Sequence, residues 1–368
     1  MEVNANSIRK IGKTGDDSWL LKDTRQITFF IGPNNSGKSR ELRKLFNENV
    51  KQWALEYEGF EIKGIIEKLE SDFHQGRPRE LLVRMRSLNY DLMLNQLSSI
   101  QNKPISLNNL AEEIYSMFKA SNYTSPGEQG RFIEAINSMI NGYFSEALLK
   151  NISDYSVTNH WSKIYIPTLR GLRHVAGEDI FESRTNSDYF PQLKKDECEV
   201  FTGHSLYKDL TQHLLGSYGK RQKVRDYEQY LSENFFFGRD ISLVPMVNKD
   251  VVHVKEGDDE DRPIYDLGDG IQSIILLTYK VFMAEEPTMF FIEEPEHFLH
   301  AGLQRTLIET FAKHKEHMFF MTTHSNHFLD LAQERDDISI QQVLRVKGES
   351  RVRASLDYGE LLNGLGVR

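Results

Sequence analysis

The sequence predicts an α/β fold with a mixed central sheet, flanking helices and a mostly helical inserted lobe. Three observations predict it. Thr288-Met-Phe-Phe-Ile292 and Met318-Phe-Phe-Met-Thr322 are unbroken apolar runs, the mark of strands buried on both faces of a parallel sheet. The apolar segment Gln26-Ile-Thr-Phe-Phe-Ile31 runs into a glycine-containing loop, and a helix follows from Lys38. Between residues 60 and 159 the strand texture gives way to helical spacing.

Taken in order, Ser7-Ile-Arg-Lys-Ile11, Trp19-Leu-Leu21 and Gln26–Ile31 are strands, separated by Gly12, Gly15, Asp16 and Asp17. Glu41, Leu42, Leu45 and Phe46 carry the spacing of the helix after Lys38. Leu110-Ala-Glu-Glu-Ile-Tyr-Ser-Met-Phe118 and Phe132-Ile-Glu-Ala-Ile-Asn-Ser-Met-Ile140 are the clearest helices of the lobe, with polar breaks at Asn102-Lys-Pro104 and Ser125-Pro-Gly127. Strands return at Lys163–Ile166, Ile241–Val244 and Val251–Val254, and the acidic Gly257-Asp-Asp-Glu-Asp-Arg262 is a solvated turn. Repeats and low-complexity tracts are not evident.

Composition narrows the function classes. A chain of 368 residues with 45 basic and 54 acidic side chains has a net charge of −9. That balance disfavours a protein coated in nucleic acid while leaving room for a local basic groove. The single cysteine, Cys198, makes neither an internal disulfide nor a cysteine-rich zinc site. No stretch approaches the ~18 apolar residues of a membrane span, and Met1-Glu-Val-Asn lacks the regions of a secretory signal. A cytoplasmic location is expected.

The sharpest motif is Gly32-Pro33-Asn34-Asn35-Ser36-Gly37-Lys38-Ser39, which fits G-x-x-x-x-G-K-[ST] at every defined position. Between a strand and a helix, its backbone N–H groups cradle phosphate oxygens at the positive end of the helix dipole. Lys38 is expected on the β- and γ-phosphates and the Ser39 hydroxyl on Mg²⁺. A second element, Met289-Phe-Phe-Ile-Glu-Glu-Pro-Glu296, puts two carboxylates at the carboxyl end of a central strand, where open α/β sheets bind ligands. Glu293 is expected to hold Mg²⁺ and Glu294 to orient or deprotonate the attacking water. A third, Phe319-Phe-Met-Thr-Thr-His324-Ser325, ends a strand on an imidazole suited to a γ-phosphate oxygen or the lytic water. The pairs His297/His300 and His324/His327 lack an evident third ligand and are not read as a metal site, so that His297, His300 and His327 are read as structural.

This ordered set resembles the ATPase heads of the ABC type: transporter cassettes, the SMC and RecF repair proteins, and the overcoming-lysogenisation-defect (OLD) nucleases. Their Leu-Ser-Gly-Gly-Gln signature corresponds to Leu267-Gly268-Asp269-Gly270-Ile-Gln272, with Gly270 retained, Gly268 in place of the serine and Asp269 in place of the first glycine. The serine contact across a dimer is therefore missing, and a plain helix-capping turn is the equal alternative. Tyr165-Ile-Pro-Thr-Leu-Arg170-Gly-Leu-Arg173 is similar to the segment that replaces the transporter Q-loop in OLD-like ATPases. The resemblance implies that Arg170 and Arg173 line the nucleotide or the dimer face; the alternative is a surface pair. Glu296-His-Phe-Leu-His300 resembles the segment entering the D-loop, and Leu361–Arg368 the junction before a Toprim nuclease domain.

The expected organisation is an ATPase domain of residues 1–59 and 160–368 with a helical lobe over 60–159. The resemblance implies an ATP- and Mg²⁺-dependent ATPase that associates through nucleotide as a homodimer or higher oligomer. It would regulate an effector, a Toprim-type nuclease, in antiviral defence, with no membrane partner. The alternative is a RecF- or SMC-type DNA-maintenance clamp. Pro104 and Pro126 oppose a long coiled-coil arm, while Arg77-Pro-Arg79 with Arg84 and Arg86, and Lys220-Arg-Gln-Lys-Val-Arg225, leave DNA open as a partner. A transporter cassette and a binding-only module, the latter because Glu293 stands where an aspartate is usual, are the remaining alternatives.

Overall fold

The structure, a computed structural model, describes residues 8–13, 19–48, 53–57, 161–172, 179–191, 199–247, 249–346 and 349–354, with 68, 69, 71, 72, 75, 114 and 133–139. The chain divides into two compact units, Met1–Thr24 with Asn49–His160, and Arg25–Glu48 with Trp161–Arg368. Most of the expected lobe, including nearly all of Leu110–Phe118, lies outside the described residues, as do Arg77–Arg86, Arg173, Cys198 and Leu361–Arg368. Within it, 133–139 are helical, as the spacing predicts.

The elements, in chain order, begin with β1 (Ile8–Lys13), β2 (Trp19–Lys22), β3 (Ile27–Ile31), α1 (Lys38–Asn47) and β4 (Trp53–Tyr57). There follow β5 (Ser162–Ile166), α2 (Ile180–Tyr189), β6 (Glu199–Val200), α3 (Leu206–Leu214) and α4 (Tyr218–Phe235). Next come β7 (Ile241–Met246), β8 (Val251–Glu256), β9 (Arg262–Pro263) and α5 (Asp269–Met283). The chain closes with β10 (Thr288–Glu293), α6 (Ala301–Lys313), β11 (Met318–Thr322), α7 (Asn326–Glu334), β12 (Ile338–Val346) and β13 (Glu349–Ala354).

In the first unit β1 pairs antiparallel with both β2 and β4, and Ile8, Ile11 and Leu21 are buried. The second unit is built on a seven-stranded sheet of order β13-β12-β3-β11-β10-β5-β6. Its strands run parallel except for β13, which turns back along β12. The expected apolar strands β3, β10 and β11 are buried at every position. Their register stacks aromatic rings across the sheet, Phe290 on Phe319 at 5.3 Å and Phe291 on Phe320 at 5.2 Å between centroids. Such pairs contribute roughly 0.5–1.5 kcal/mol each beyond area burial. The antiparallel sheet β7-β8-β9 stands apart from this ladder in the same unit.

Helices cover the sheet because their apolar faces require it. α1 buries Leu42, Leu45 and Phe46, and Phe46 meets Tyr165, Phe190 and Phe291 edge-on or tilted at 4.8 to 5.4 Å. The interior helix α5 buries residues all around its circumference. It is fixed by Tyr227 of α4, whose hydroxyl donates to the Ile275 carbonyl at 3.0 Å. Asp179 caps α2, accepting from the amides of Phe181 and Glu182 at 3.0 Å each, a cap worth ~1 kcal/mol.

At the opposite edge from the carboxyl ends of the strands, His314, Glu316 and His317 bring their polar atoms within 4.8 Å of one another. The Thr288 amide donates to Nδ1 of His317 at 3.2 Å, so Nε2 carries the proton of the neutral ring and has no lone pair for a metal. The group is a hydrogen-bonded turn. Burial outweighs the Glu316 charge and pulls His317 down to about 4. The unfolded chain, with an ordinary pKa of about 6.5, therefore binds more protons between those values. This contribution to stability is complete above the ordinary value and is lost as pH falls toward 4. Thermal melts should show His317→Gln, which keeps the acceptor for Thr288, flattening the wild-type fall across that window; superimposable profiles would contradict it.

Candidate functional site

The carboxyl ends of β3, β10 and β11 converge, and the site is built on them. β3 leaves the sheet at Ile31 and turns through residues 32–37 into α1. Glycine is required at two points of this turn. A Cβ on Gly32 would collide with the Val343 carbonyl, and Gly37, with φ of 103°, lies in the left-handed region against Ser350. Ser350 of β13 donates to the Ser36 carbonyl at 2.8 Å and braces the turn from outside. Pro33, Asn34 and Asn35 are exposed at its crest, and Asn35 adopts φ of 64°.

Lys38 is buried, and its ammonium donates to the carbonyls of Gly32 at 2.9 Å and Pro33 at 3.3 Å. Burial lowers its pKa, opposed by the charges of Glu294 and Glu296. Ser39 follows on the first turn of α1 and is partly exposed. The Ser36 hydroxyl is buried with no partner among the described residues, and no side chain caps α1. A glycine cradle, an uncapped helix start, an orphaned hydroxyl and a buried cation fit a phosphate group.

β10 lies between β5 and β11 and delivers the acids. Glu294 sits at φ of 45°, unusual for a residue with a side chain. Its amide is held by the Thr322 carbonyl at 3.1 Å, and its carbonyl accepts from Arg170 at 2.9 Å. The carboxylate meets Nε2 of His297 at 2.8 Å. The sequence places His297 in a purely structural role, whereas the fold brings it into contact with the candidate base.

Glu293 is buried and already engaged. Oε1 accepts from Arg43 of α1 at 2.6 Å, and Oε2 accepts from the Thr168 hydroxyl at 3.1 Å. Arg43 also donates to the Tyr165 hydroxyl at 3.1 Å and lies 3.5 Å over the Tyr189 ring. Oε2 also accepts from the Thr168 amide at 3.4 Å, so the second lone pair of Oε1 is what the carboxylate has left to offer a cation.

His324 stands at the exposed lip of the cluster, just past β11. Burial and the Lys38 charge lower its pKa, and Glu294 opposes them. The charges of Lys38 and Glu294 both act on His324, and the three residues follow the carboxyl ends of β3, β10 and β11. Arg170 belongs there too, but its guanidinium turns inward. It donates to the carbonyls of Pro167, Glu293 and Glu294 at 3.0, 2.6 and 2.9 Å, and burial lowers its pKa to about 10, still cationic at neutral pH. It holds the acid turn from behind. Gly268, Asp269 and Gly270 open α5, with Gly268 and Asp269 exposed. Gly270 passes the Phe298 carbonyl so closely that a Cβ would stand 3.2 Å from it.

Sequence reasoning missed Arg43, Thr168, Thr323 and Glu296 as site residues. Glu296 Oε1 accepts from the Thr323 hydroxyl at 2.9 Å and the His324 amide at 2.6 Å. Its only sequence signal was its place two residues beyond the acid pair.

In the sheet, the strand leading into the phosphate loop is separated from the acid-bearing strand by β11, which leads to His324, with an antiparallel strand at the edge. With the loop and the acids, this defines a P-loop ATPase fold of the ABC type. Residues 27–330 match the family described as "AAA domain, putative AbiEii toxin, Type IV TA system", and the chain belongs to that family. No curated protein matches it. Among solved structures it is similar to the SMC head domain from Thermotoga maritima, at 16% identity and a TM-score of 0.29, over 41% of this chain and 52% of that one. It therefore spans about half the length of that chain. It is also similar to the Smc head domain of Pyrococcus furiosus with an extended coiled coil, bound to the C-terminal domain of ScpA, at 9% identity and a TM-score of 0.38, over 98% of each chain. A third similarity is to an SmcHead bound to the C-winged helix domain of ScpA, at 11% identity and a TM-score of 0.40, over 96% and 99%. No helix among the described residues is long and apolar enough to cross a membrane.

Proposed function

We propose that the protein is an ATP-binding and ATP-hydrolysing switch whose copies associate through nucleotide and regulate a partner effector. The observation that carries this is the sheet order β3-β11-β10, which sets buried Lys38, donating to the carbonyls of its own loop at the start of α1, beside the strand ends that lead to His324 and Glu294. Lys38 and the backbone N–H groups of residues 34–39 bind the triphosphate, while Ser39, with the remaining lone pair of Glu293 Oε1 acting through water, would hold Mg²⁺. Bound Mg²⁺ neutralises phosphate charge. Glu294 takes the proton of the attacking water, its carboxylate oriented by His297, and Arg170 fixes the backbone that carries it. His324 donates to a terminal phosphate oxygen, the neutral ring being favoured by the lowered pKa.

The exposed start of α5 at Gly268–Gly270 offers backbone donors to nucleotide on a second copy, which makes association nucleotide-dependent. Hydrolysis removes those contacts and reopens the pair. Residues 1–59 and 160–368 form the ATPase domain in this proposal, and 60–159 senses the trigger. The family resemblance supports a Toprim-type nuclease as effector, in antiviral defence in the cytoplasm. Light scattering tests the switch: the mass should double with Mg²⁺ and a non-hydrolysable ATP analogue and return to that of a single chain with ADP. Saturating analogue without a change in mass would contradict it.

A further inference from the structure

We propose that Glu296 is a positioning residue that holds the His324 turn against the Lys38–Glu294 cluster. This rests on the ATPase function proposed above, because it assigns His324 a task in that chemistry. Glu296 Oε1 accepts two hydrogen bonds from the turn that follows β11, one from the Thr323 hydroxyl at 2.9 Å and one from the His324 amide at 2.6 Å. It thereby fixes the main chain immediately before the imidazole.

The contact belongs to a closed circuit. Thr323 is fully buried, and its own amide donates to the Phe30 carbonyl of β3 at 3.2 Å. The Thr323 hydroxyl oxygen accepts from the Ser325 amide at 2.9 Å. The Ser325 hydroxyl donates to Gln304 of α6 at 2.6 Å, and Gln304 donates back to the Leu299 carbonyl at 2.8 Å. The circuit returns to the β10–α6 segment three residues beyond Glu296. Loop and turn are locked together around the point where His324 emerges, and a carboxylate acceptor makes these bonds stronger than neutral ones.

The other oxygen, Oε2, is buried with no partner among the described residues. An isolated ionised oxygen in such a place carries a desolvation cost, offset here by the charges of Arg170 and Lys38. Burial accordingly raises the pKa of Glu296, partly countered by the bonds from His324 and Thr323. The groups facing His324 are Lys38 from α1 and Glu294 and His297 from the β10–α6 loop, with Glu296 beneath its amide.

Two substitutions separate holding the turn from carrying charge. Glu296→Gln keeps an oxygen acceptor in place for both bonds, whereas Glu296→Ala removes it. Glu296→Ala should lower kcat by about 100-fold, the scale of a displacement near 1 Å at a reacting centre, with KM for ATP nearly unchanged. NMR titration of the full chain labelled at histidine Cε1, the His324 signal being assigned by its loss in His324→Gln, supplies a readout independent of turnover. In Glu296→Ala the His324 pKa should rise toward the ordinary histidine value as the turn leaves its buried setting. Glu296→Gln should keep both kcat and that pKa close to wild type. Should Glu296→Ala fail to fold, Thr323→Val, which removes one of the two bonds, should move both readouts in the same directions to a smaller extent. A His324 pKa unmoved by Glu296→Ala or Thr323→Val would overturn the proposal. So would Glu296→Gln losing as much turnover as Glu296→Ala while the His324 pKa holds. A wild-type chain that does not hydrolyse ATP, but whose His324 titration responds as described, would defeat the ATPase function and leave the hold of Glu296 on the His324 turn standing.

Discussion

Lys38→Ala is expected to weaken ATP binding by at least ~100-fold, from the loss of about 3 kcal/mol in charge-assisted contacts. The ammonium is buried at the start of α1 with two of its hydrogen bonds going to the carbonyls of its own loop. One N–H therefore remains to face a ligand, and the charge acts in a setting screened far less than a surface lysine. Burial lowers its pKa, and the charges of Glu294 and Glu296 oppose that shift. The apolar face of α1, Leu42, Leu45 and Phe46, is untouched by the change. The melting temperature should consequently move little while titration calorimetry loses its heat of binding. Wild-type affinity in Lys38→Ala would remove the phosphate site from this loop.

The second large effect is expected from Glu294→Gln, which should retain ATP and slow hydrolysis by about 10²- to 10⁴-fold, the usual worth of a general base. The backbone at this residue is held independently of its side chain, by Thr322 through the amide and Arg170 through the carbonyl. The amide side chain can therefore occupy the same position without carrying a proton away. Phosphate release should collapse while bound ATP persists, and the associated state seen by light scattering should outlive that of the wild type. Glu293→Gln serves as the counterpart. Its carboxylate pairs with Arg43 at 2.6 Å, with side-chain exposures of 5% and 22%, so the change leaves a largely buried guanidinium short of its partner and should lower the melting temperature as well as activity. If Glu293→Gln alone stops turnover and Glu294→Gln does not, the roles of the two acids are reversed.

What was legible in the sequence follows from how local each signal is. β3, β10 and β11 announced themselves because a strand buried on both faces must be apolar throughout. The phosphate loop did so because its glycines, lysine and serine fall at fixed spacings within eight consecutive positions. β12 and β13 passed unrecognised: Ile338-Ser-Ile-Gln-Gln-Val-Leu-Arg-Val346 carries two buried glutamines that break the apolar pattern, and its place beside β3 is a tertiary fact. Arg170 was found as a charge near the site, but its direction was not. Three backbone carbonyls claim its guanidinium, and carbonyls have no sequence identity. Arg43 meets Glu293 across 250 positions and Glu296 meets the His324 amide across 28, so neither pairing has a spacing to detect. The acids and the imidazole were legible as residues; what holds them in place was not.

Vanadate-directed photocleavage tests most directly whether the transferred phosphate lies where these groups converge. With ADP, Mg²⁺ and vanadate trapped in the wild-type chain and irradiated, mass spectrometry should find backbone cuts within residues 32–39 and next to Glu294 or His324, and none in Lys38→Ala. Cuts confined to other parts of the chain, or the same cuts in Lys38→Ala, would contradict the site.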